Sequence, residues 1–176
     1  MMIRHGEKPM GGVPPNGITS DGVIDDHSLI VRGWQRAGAL VDVFMNGTRP
    51  GVSTPQFVFA ASGSQGTRGL RSRETVTPLV DRLDINVVAN FGLGVGQEAD
   101  AGAEIMGCFG VVLVAWEHHN LPVIASHFPH SVKSTAVPMW PDDRFDLIWI
   151  FDFDVECQGY VFSQTPQLLL AGDRGI

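Results

Sequence analysis

Val111-Val112-Leu113-Val114-Ala115-Trp116 is the stretch that decides the fold. It is a continuous apolar run with no polar face to offer water, and it is rich in β-branched residues. Such a run reads as a strand of a parallel sheet buried on both sides. Phe57 to Ala60 reads the same way, and Val87 to Phe91, Leu147 to Phe151 and Tyr160 to Gln164 are further strands, the last forming a sheet edge. Helical segments lie between them. Leu29 to Asn46 places Val31, Trp34, Ala37, Val41 and Phe44 on one face at three- and four-residue steps, and Gly47 to Gly51 stops it. Leu70 to Leu83, Glu98 to Met106 and Leu121 to Phe128 are expected helices, and residues 8 to 27 form a Gly- and Pro-rich loop. The alternation predicts one α/β domain over residues 1–176, a three-layer α/β/α sandwich with a mostly parallel central sheet.

Composition narrows the function classes. The chain has 176 residues, enough to bury a substantial core, and its 44% hydrophobic and 18% charged content is ordinary for a globular protein. The net charge of −7, with no basic run, argues against nucleic acid and anionic membrane as partners. No apolar run reaches the ~18 residues that cross a bilayer. No charged segment followed by an apolar stretch opens the chain, so no signal peptide is expected. Cys108 and Cys157 stand far apart without CxxC spacing, which fits two buried thiols in a reducing, cytoplasmic setting.

In open α/β sheets, ligands sit at the carboxyl ends of the strands. His5, Ser62 and His118 each follow an apolar strand segment, so the pattern puts all three on one rim. Arg4-His5-Gly6-Glu7 carries the clearest chemistry. A neutral imidazole is nucleophilic near pH 7. A neighbouring guanidinium binds phosphate oxygens through its planar fork of donors. A glycine lets the backbone approach a ligand closely.

Ile3 to Pro9 (IRHGEKP) resembles the signature of the histidine phosphatase superfamily, the phosphoglycerate-mutase-like enzymes, and further matches follow in that family's order. Leu29 to Leu40 resembles its first helix, with a Gly-x-Gln-x-Ala pattern after a leucine. Ala61-Ser62 and Arg71 to Thr75 resemble its Ser…Arg-x-x-x-Thr element. Val111 to Pro122 resembles the strand that delivers a second histidine. The resemblance spans residues 3 to about 125. It implies a phosphoglycerate-mutase-like fold and a phosphatase that acts on a small phosphorylated substrate or a phosphoprotein. It implies no metal and no organic cofactor.

The same resemblance implies roles. His5 becomes phosphohistidine, Arg4 and Arg71 clamp the phosphoryl oxygens, and His118 is the second pocket histidine. Arg71 stands four residues before Thr75, on the same helix face, whereas Arg73 points elsewhere. The family writes Ser-His-Gly where this chain has Glu117-His118-His119-Asn120, so His119 is the alternative to His118. Glu98 is the expected general acid, with Glu7 and Glu117 as rivals. Ser62, Gly6 and Asn120 would contact substrate, and Trp140 to Asp146 would form a lid. Only Met1, Met2 and Ile3 precede the signature where the family has a full strand, so either the start is placed late or the first strand is short, which would weaken the sheet under the nucleophile.

Other readings compete. Ile148 to Glu156 (IWIFDFDVE) ends a strand in Asp152-x-Asp154, as Mg-dependent haloacid-dehalogenase-type phosphatases begin, but only twenty residues follow Glu156. Otherwise these acids belong to an edge strand facing water. His118, His119, His127 and His130 form a metal set without HExxH spacing. Gly92 to Gly96 lacks the spacing of a dinucleotide loop. A non-catalytic phosphate-binding module on the same fold is the remaining alternative.

Overall fold

The computed structural model describes residues 1–64 and 66–176. The elements are β1 (Met2–Arg4), α1 (Val31–Asn46), β2 (Phe57–Ala60), α2 (Leu70–Leu83), β3 (Val87–Val88), α3 (Gln97–Met106), β4 (Val112–Trp116), α4 (Leu121–Ser126), β5 (Leu147–Asp154) and β6 (Gly159–Pro166). The six strands form one sheet in the order β3-β2-β4-β1-β5-β6.

Strand side chains alternate between the two faces, and each face is buried. Met2, Phe59, Val114, Trp116, Leu147 and Trp149 point to one side, where Ala101 and Ile105 of α3 and Leu121, Ile124 and Ala125 of α4 cover them. Ile3, Val58, Ala60, Leu113, Ala115, Ile148 and Ile150 point to the other, under Leu40, Val43 and Phe44 of α1 and Val76, Leu79 and Val80 of α2. Burial on both sides is why these strands read as unbroken apolar runs. No helix is long and apolar enough to cross a membrane among the described residues.

The expectation of a mostly parallel sheet is corrected to a mixed one. β3, β2, β4 and β1 pair in parallel, but β1 with β5 and β5 with β6 are antiparallel. Two connections explain this. Only Val155 to Gln158 join β5 to β6, with Gln158 at φ 50°, and a link that short makes a hairpin. Parallel neighbours need a crossover of a dozen or more residues. The chain from α4 to β5 first pairs with Tyr160 near the β5–β6 hairpin and then reaches the carboxyl ends of the parallel strands, where Asp142 and Arg144 meet Arg4, so β5 enters from that rim and runs back against β1. β5 is therefore interior, and β6 is the edge.

The first strand is short, as expected, yet central. Its three residues pair with Val114, Ala115 and Trp116 on one side, and Met2 faces Trp149 on the other. The cysteines are free but half-buried rather than buried. The buried stripe of α1 also differs from the expected one. It comprises Gly33, Arg36, Ala37, Leu40, Val43 and Phe44, while Val31 is exposed. The helix is rotated because Gly33 must pass close to the loop after β1. A Cβ on Gly33 would lie 2.5 Å from the Glu7 carbonyl oxygen and 2.9 Å from its nitrogen. Those are backbone atoms and have little freedom to move aside. Gly33→Ala is expected to destabilise the protein by about 1–3 kcal/mol, read as a lower urea midpoint at unchanged m; an unaltered midpoint would show that the contact relaxes freely.

Candidate active site

Three parallel strands deliver the rim. β2, β4 and β1 lie side by side with Ala60 opposite Ala115 and Arg4 opposite Trp116. The residues that follow, Ser62, His118 and His5, therefore leave the sheet on one side.

His5 is 1% exposed, and its amide donates to the Trp116 carbonyl at 3.0 Å. Its Nδ1 lies 2.7 Å from the Gly6 carbonyl oxygen. A carbonyl only accepts, so Nδ1 carries the proton and Nε2 the lone pair. Nε2 makes no hydrogen bond among the described residues. Burial pushes the ring pKa down to about 3, against the Gly6 bond, and the charges of Arg4, Arg71 and Lys8 push the same way. The imidazole is neutral at pH 7.

The loop after His5 is held on two sides. The Gly6 amide donates to Thr75 Oγ1 at 2.8 Å, and that hydroxyl donates to the Arg71 carbonyl at 2.7 Å. Thr75 thus links the His5 loop to α2. A Cβ on Gly6 would meet the Gly33 carbonyl oxygen at 3.0 Å, so the motif glycine serves the packing against α1. Glu7 accepts from Arg36 through both oxygens, at 3.0 and 2.8 Å, and from Arg32 at 3.0 Å. That pairing makes Glu7 an anchor and ties up the carboxylate that rivalled Glu98.

Cations surround the histidine. Arg4 is 2% exposed. Its Nη1 donates to the carbonyls of Asp142 and Arg144, at 2.6 and 3.1 Å, and its guanidinium carbon lies 3.8 Å from the Phe145 ring centre. Burial lowers its pKa to about 10, although Glu117, Asp142, Glu7 and Asp143 raise it. Arg71 donates to the Asp26 carbonyl at 2.6 Å. The Nε atoms of both arginines are buried and have no acceptor among the described residues. Lys8, half-buried, has its pKa lowered by burial and by Arg71 and Arg4. Arg73 is exposed and donates to the Gly63 carbonyl.

His118 is buried and His119 exposed, with ring centres 3.9 Å apart. His118 Nε2 lies 3.1 Å from Asp142 Oδ1. Glu117 Oε1 lies 2.5 Å from His118 Nδ1, but its alignment makes no hydrogen bond. Burial and Arg4 lower the His118 pKa, opposed by Glu117 and Asp142. The segment Trp140 to Asp146 covers this side. The Trp140 Nε1 donates to the Arg144 carbonyl at 2.9 Å, and Phe145 lies 6.0 Å from the His5 ring, centre to centre.

Glu98 is buried on α3 and accepts a short hydrogen bond from Asn120 Nδ2. It is not among the carboxylates that act most strongly on His5, Arg4 or His118. The Ser62 amide donates to the Phe91 carbonyl at 2.6 Å, and its hydroxyl lies beside Gly92.

The Asp-x-Asp pair lies elsewhere. Because β5 runs against β1, Asp152 and Asp154 stand at the opposite end of the strands from His5, by the amino ends of the parallel strands. Asp152 is exposed, and Asp154 pairs with Lys133 at 3.0 Å. The four histidines of the rival metal reading do not come together among the described residues. The donor atoms that converge, within 4.8 Å, are those of Glu117, His118 and His119, whereas His130 binds the Ala125 carbonyl.

Sequence reasoning missed Lys8, Asp142 and Phe145 as individual site residues. Lys8 had a signal, a cation three residues past His5 inside the quoted motif. Asp142 had none, since its contact with His118 spans 24 residues of sequence. The chain matches no family model and no curated protein.

The His5 pKa has a consequence for stability. The unfolded histidine binds a proton below about 6.5, while the folded one stays neutral down to about 3. The unfolded state therefore holds more protons in that window, and stability must fall as pH falls through it, by up to about 1.4 kcal/mol per pH unit. Between pH 6.5 and 5, wild type is expected to lose about 1–2 kcal/mol more unfolding free energy than His5→Asn. Parallel pH profiles from urea melts would show that His5 is not held neutral.

Proposed function

We propose that the protein is a phosphomonoesterase of the histidine phosphatase type, on a phosphoglycerate-mutase-like fold, acting through a phosphohistidine on His5. One observation carries the reading: a buried, neutral His5, its tautomer set by the Gly6 carbonyl, faces the charges of Arg4, Arg71 and Lys8. A nucleophilic nitrogen in the field of three cations suits an anionic electrophile. The buried Nε–H groups of Arg4 and Arg71 also lack acceptors, which phosphoryl oxygens would provide.

His5 Nε2 attacks phosphorus while the bond to the leaving oxygen breaks, and a carboxylic acid protonates that oxygen. Glu98 is our candidate for this acid, buried at the rim and bonded to Asn120. Arg4 and Arg71 stabilise the equatorial oxygens, with Lys8 adding charge. His118 would donate to a phosphoryl oxygen once substrate charge favours its protonated form. Water then attacks the phosphohistidine and gives its proton to the carboxylate left by the first step, the P–N bond breaks, inorganic phosphate leaves and His5 returns to the neutral state. Ser62, Gly6 and Asn120 shape the rim. The natural substrate is a small phosphorylated molecule or a phosphoprotein side chain.

Hydrolysis of p-nitrophenyl phosphate in excess EDTA tests this. Wild type is expected to turn over, and His5→Ala to lose at least about 10³-fold in kcat. Activity that survives His5→Ala sinks the reading. Folded wild type that binds inorganic phosphate without turnover would instead make it a binding module. Glu98→Gln is expected to lower kcat about 10²–10⁴-fold on an alkyl phosphate and much less on p-nitrophenyl phosphate, whose leaving group needs little protonation. Equal losses on both substrates would remove Glu98 from the acid role.

A further inference from the structure

We propose that Glu117, His118 and His119 form a regulatory site for a divalent cation of the zinc class, and that its occupation withdraws His118 from the phosphate pocket. The three residues are consecutive in the turn after β4, and their donor atoms lie within 4.8 Å of one another. They supply two imidazoles and a carboxylate, a set suited to a borderline-soft cation.

The geometry around His118 is the main argument. Asp142 Oδ1, 3.1 Å from Nε2, only accepts hydrogen bonds when ionised, so Nε2 carries the proton of the neutral ring. Nδ1 then holds a lone pair. That nitrogen is buried, has no hydrogen bond, and faces Glu117 Oε1 at 2.5 Å, in a side chain only 6% exposed. Two electron pairs at that distance repel, and a cation shared between them removes the repulsion. Metal-ligating histidines donate their second ring N–H to a carboxylate in the same way, so Asp142 stands where a metal site has its orienting group.

His119 completes the set from outside. Its exposed ring lies beside that of His118, free to rotate inward. Donors in a tetrahedral shell with bonds of about 2.0 Å lie about 3.3 Å apart, so Glu117 Oε1 must draw back from His118 Nδ1 while the exposed His119 rotates inward. Arg4 repels a cation here; the carboxylates of Glu117 and Asp142 oppose it. A fourth position stays open to water.

Zinc and the phosphoryl group would therefore compete for His118. The inhibitory part rests on the phosphatase reading; the binding part does not. The experiment titrates EDTA-stripped, desalted protein with zinc against a chromophoric chelator, using wild type, His119→Ala and Glu117→Gln, each checked for folding by circular dichroism. One zinc per chain is expected, with Kd raised at least 10-fold by either substitution. Cobalt should give the strong visible absorption of a tetrahedral site in wild type and lose it in both variants. Zinc should inhibit p-nitrophenyl phosphate hydrolysis, EDTA should restore it, and His119→Ala should need at least 10-fold more zinc for half-inhibition. No stoichiometric binding by folded wild type, or binding that neither substitution weakens, overturns the site. Zinc bound without loss of turnover overturns its regulatory role. A chain that binds zinc but has no turnover overturns that role together with the phosphatase reading, while the titration still establishes the site.

Discussion

The paired hydrogen bonds between Glu7 and Arg36 are the constraint on which the rim depends. Arg36 is a fully buried guanidinium, and it also donates to Asp173 and Gln167. Burial works against its charge, yet Asp173 and Glu7 outweigh it and raise its pKa. In return its bonds, with the Leu169 and Leu170 amides, hold Asp173 down to about 2 despite burial. A buried ion pair is weak evidence of net stability, because desolvation offsets much of the attraction. Its value here is positional. Glu7 lies two residues past His5, so fixing its carboxylate on α1 fixes the loop that holds the imidazole, and the close passage of Gly6 over Gly33 follows from that docking.

Around this anchor the protein concentrates positive charge against its own average. A chain with a net charge of −7 brings Arg4, Arg71 and Lys8 to bear on one neutral histidine. Burial disfavours this at Arg4, and burial together with repulsion from Arg71 and Arg4 disfavours it at Lys8, as their lowered pKa values record. Backbone carbonyls of Asp26, Asp142 and Arg144 offset part of the cost. An anion would relieve this repulsion, which is the physical basis of the phosphatase reading proposed above.

The second half of the chain supplies the cover. The path from α4 to β5 ends over the rim before the sheet resumes, and that approach both reverses β5 and brings Asp142 and Phe145 to His118, Arg4 and His5. The mixed sheet and the closed side of the pocket are one consequence of a single connection.

Local patterns settled much of this in advance. The apolar runs Phe57 to Ala60 and Val112 to Trp116, buried on both faces, announced inner strands, and α2 ran from Leu70 to Leu83 as its pattern indicates. The placement of His5, Ser62 and His118 on one rim followed from their positions after such strands. Other features had no local signature. The direction of β5 depends on how the chain returns across the sheet, the rotation of α1 on a backbone contact with Glu7, and the Asp142–His118 bond on a loop 24 residues away. Sequence by itself determined which segments are buried and which residue types reach the rim, because burial and periodicity act over a few neighbours. Tertiary structure alone decided strand direction, the rotation of α1 and the partners of each charge, because these are set by groups that only folding brings together.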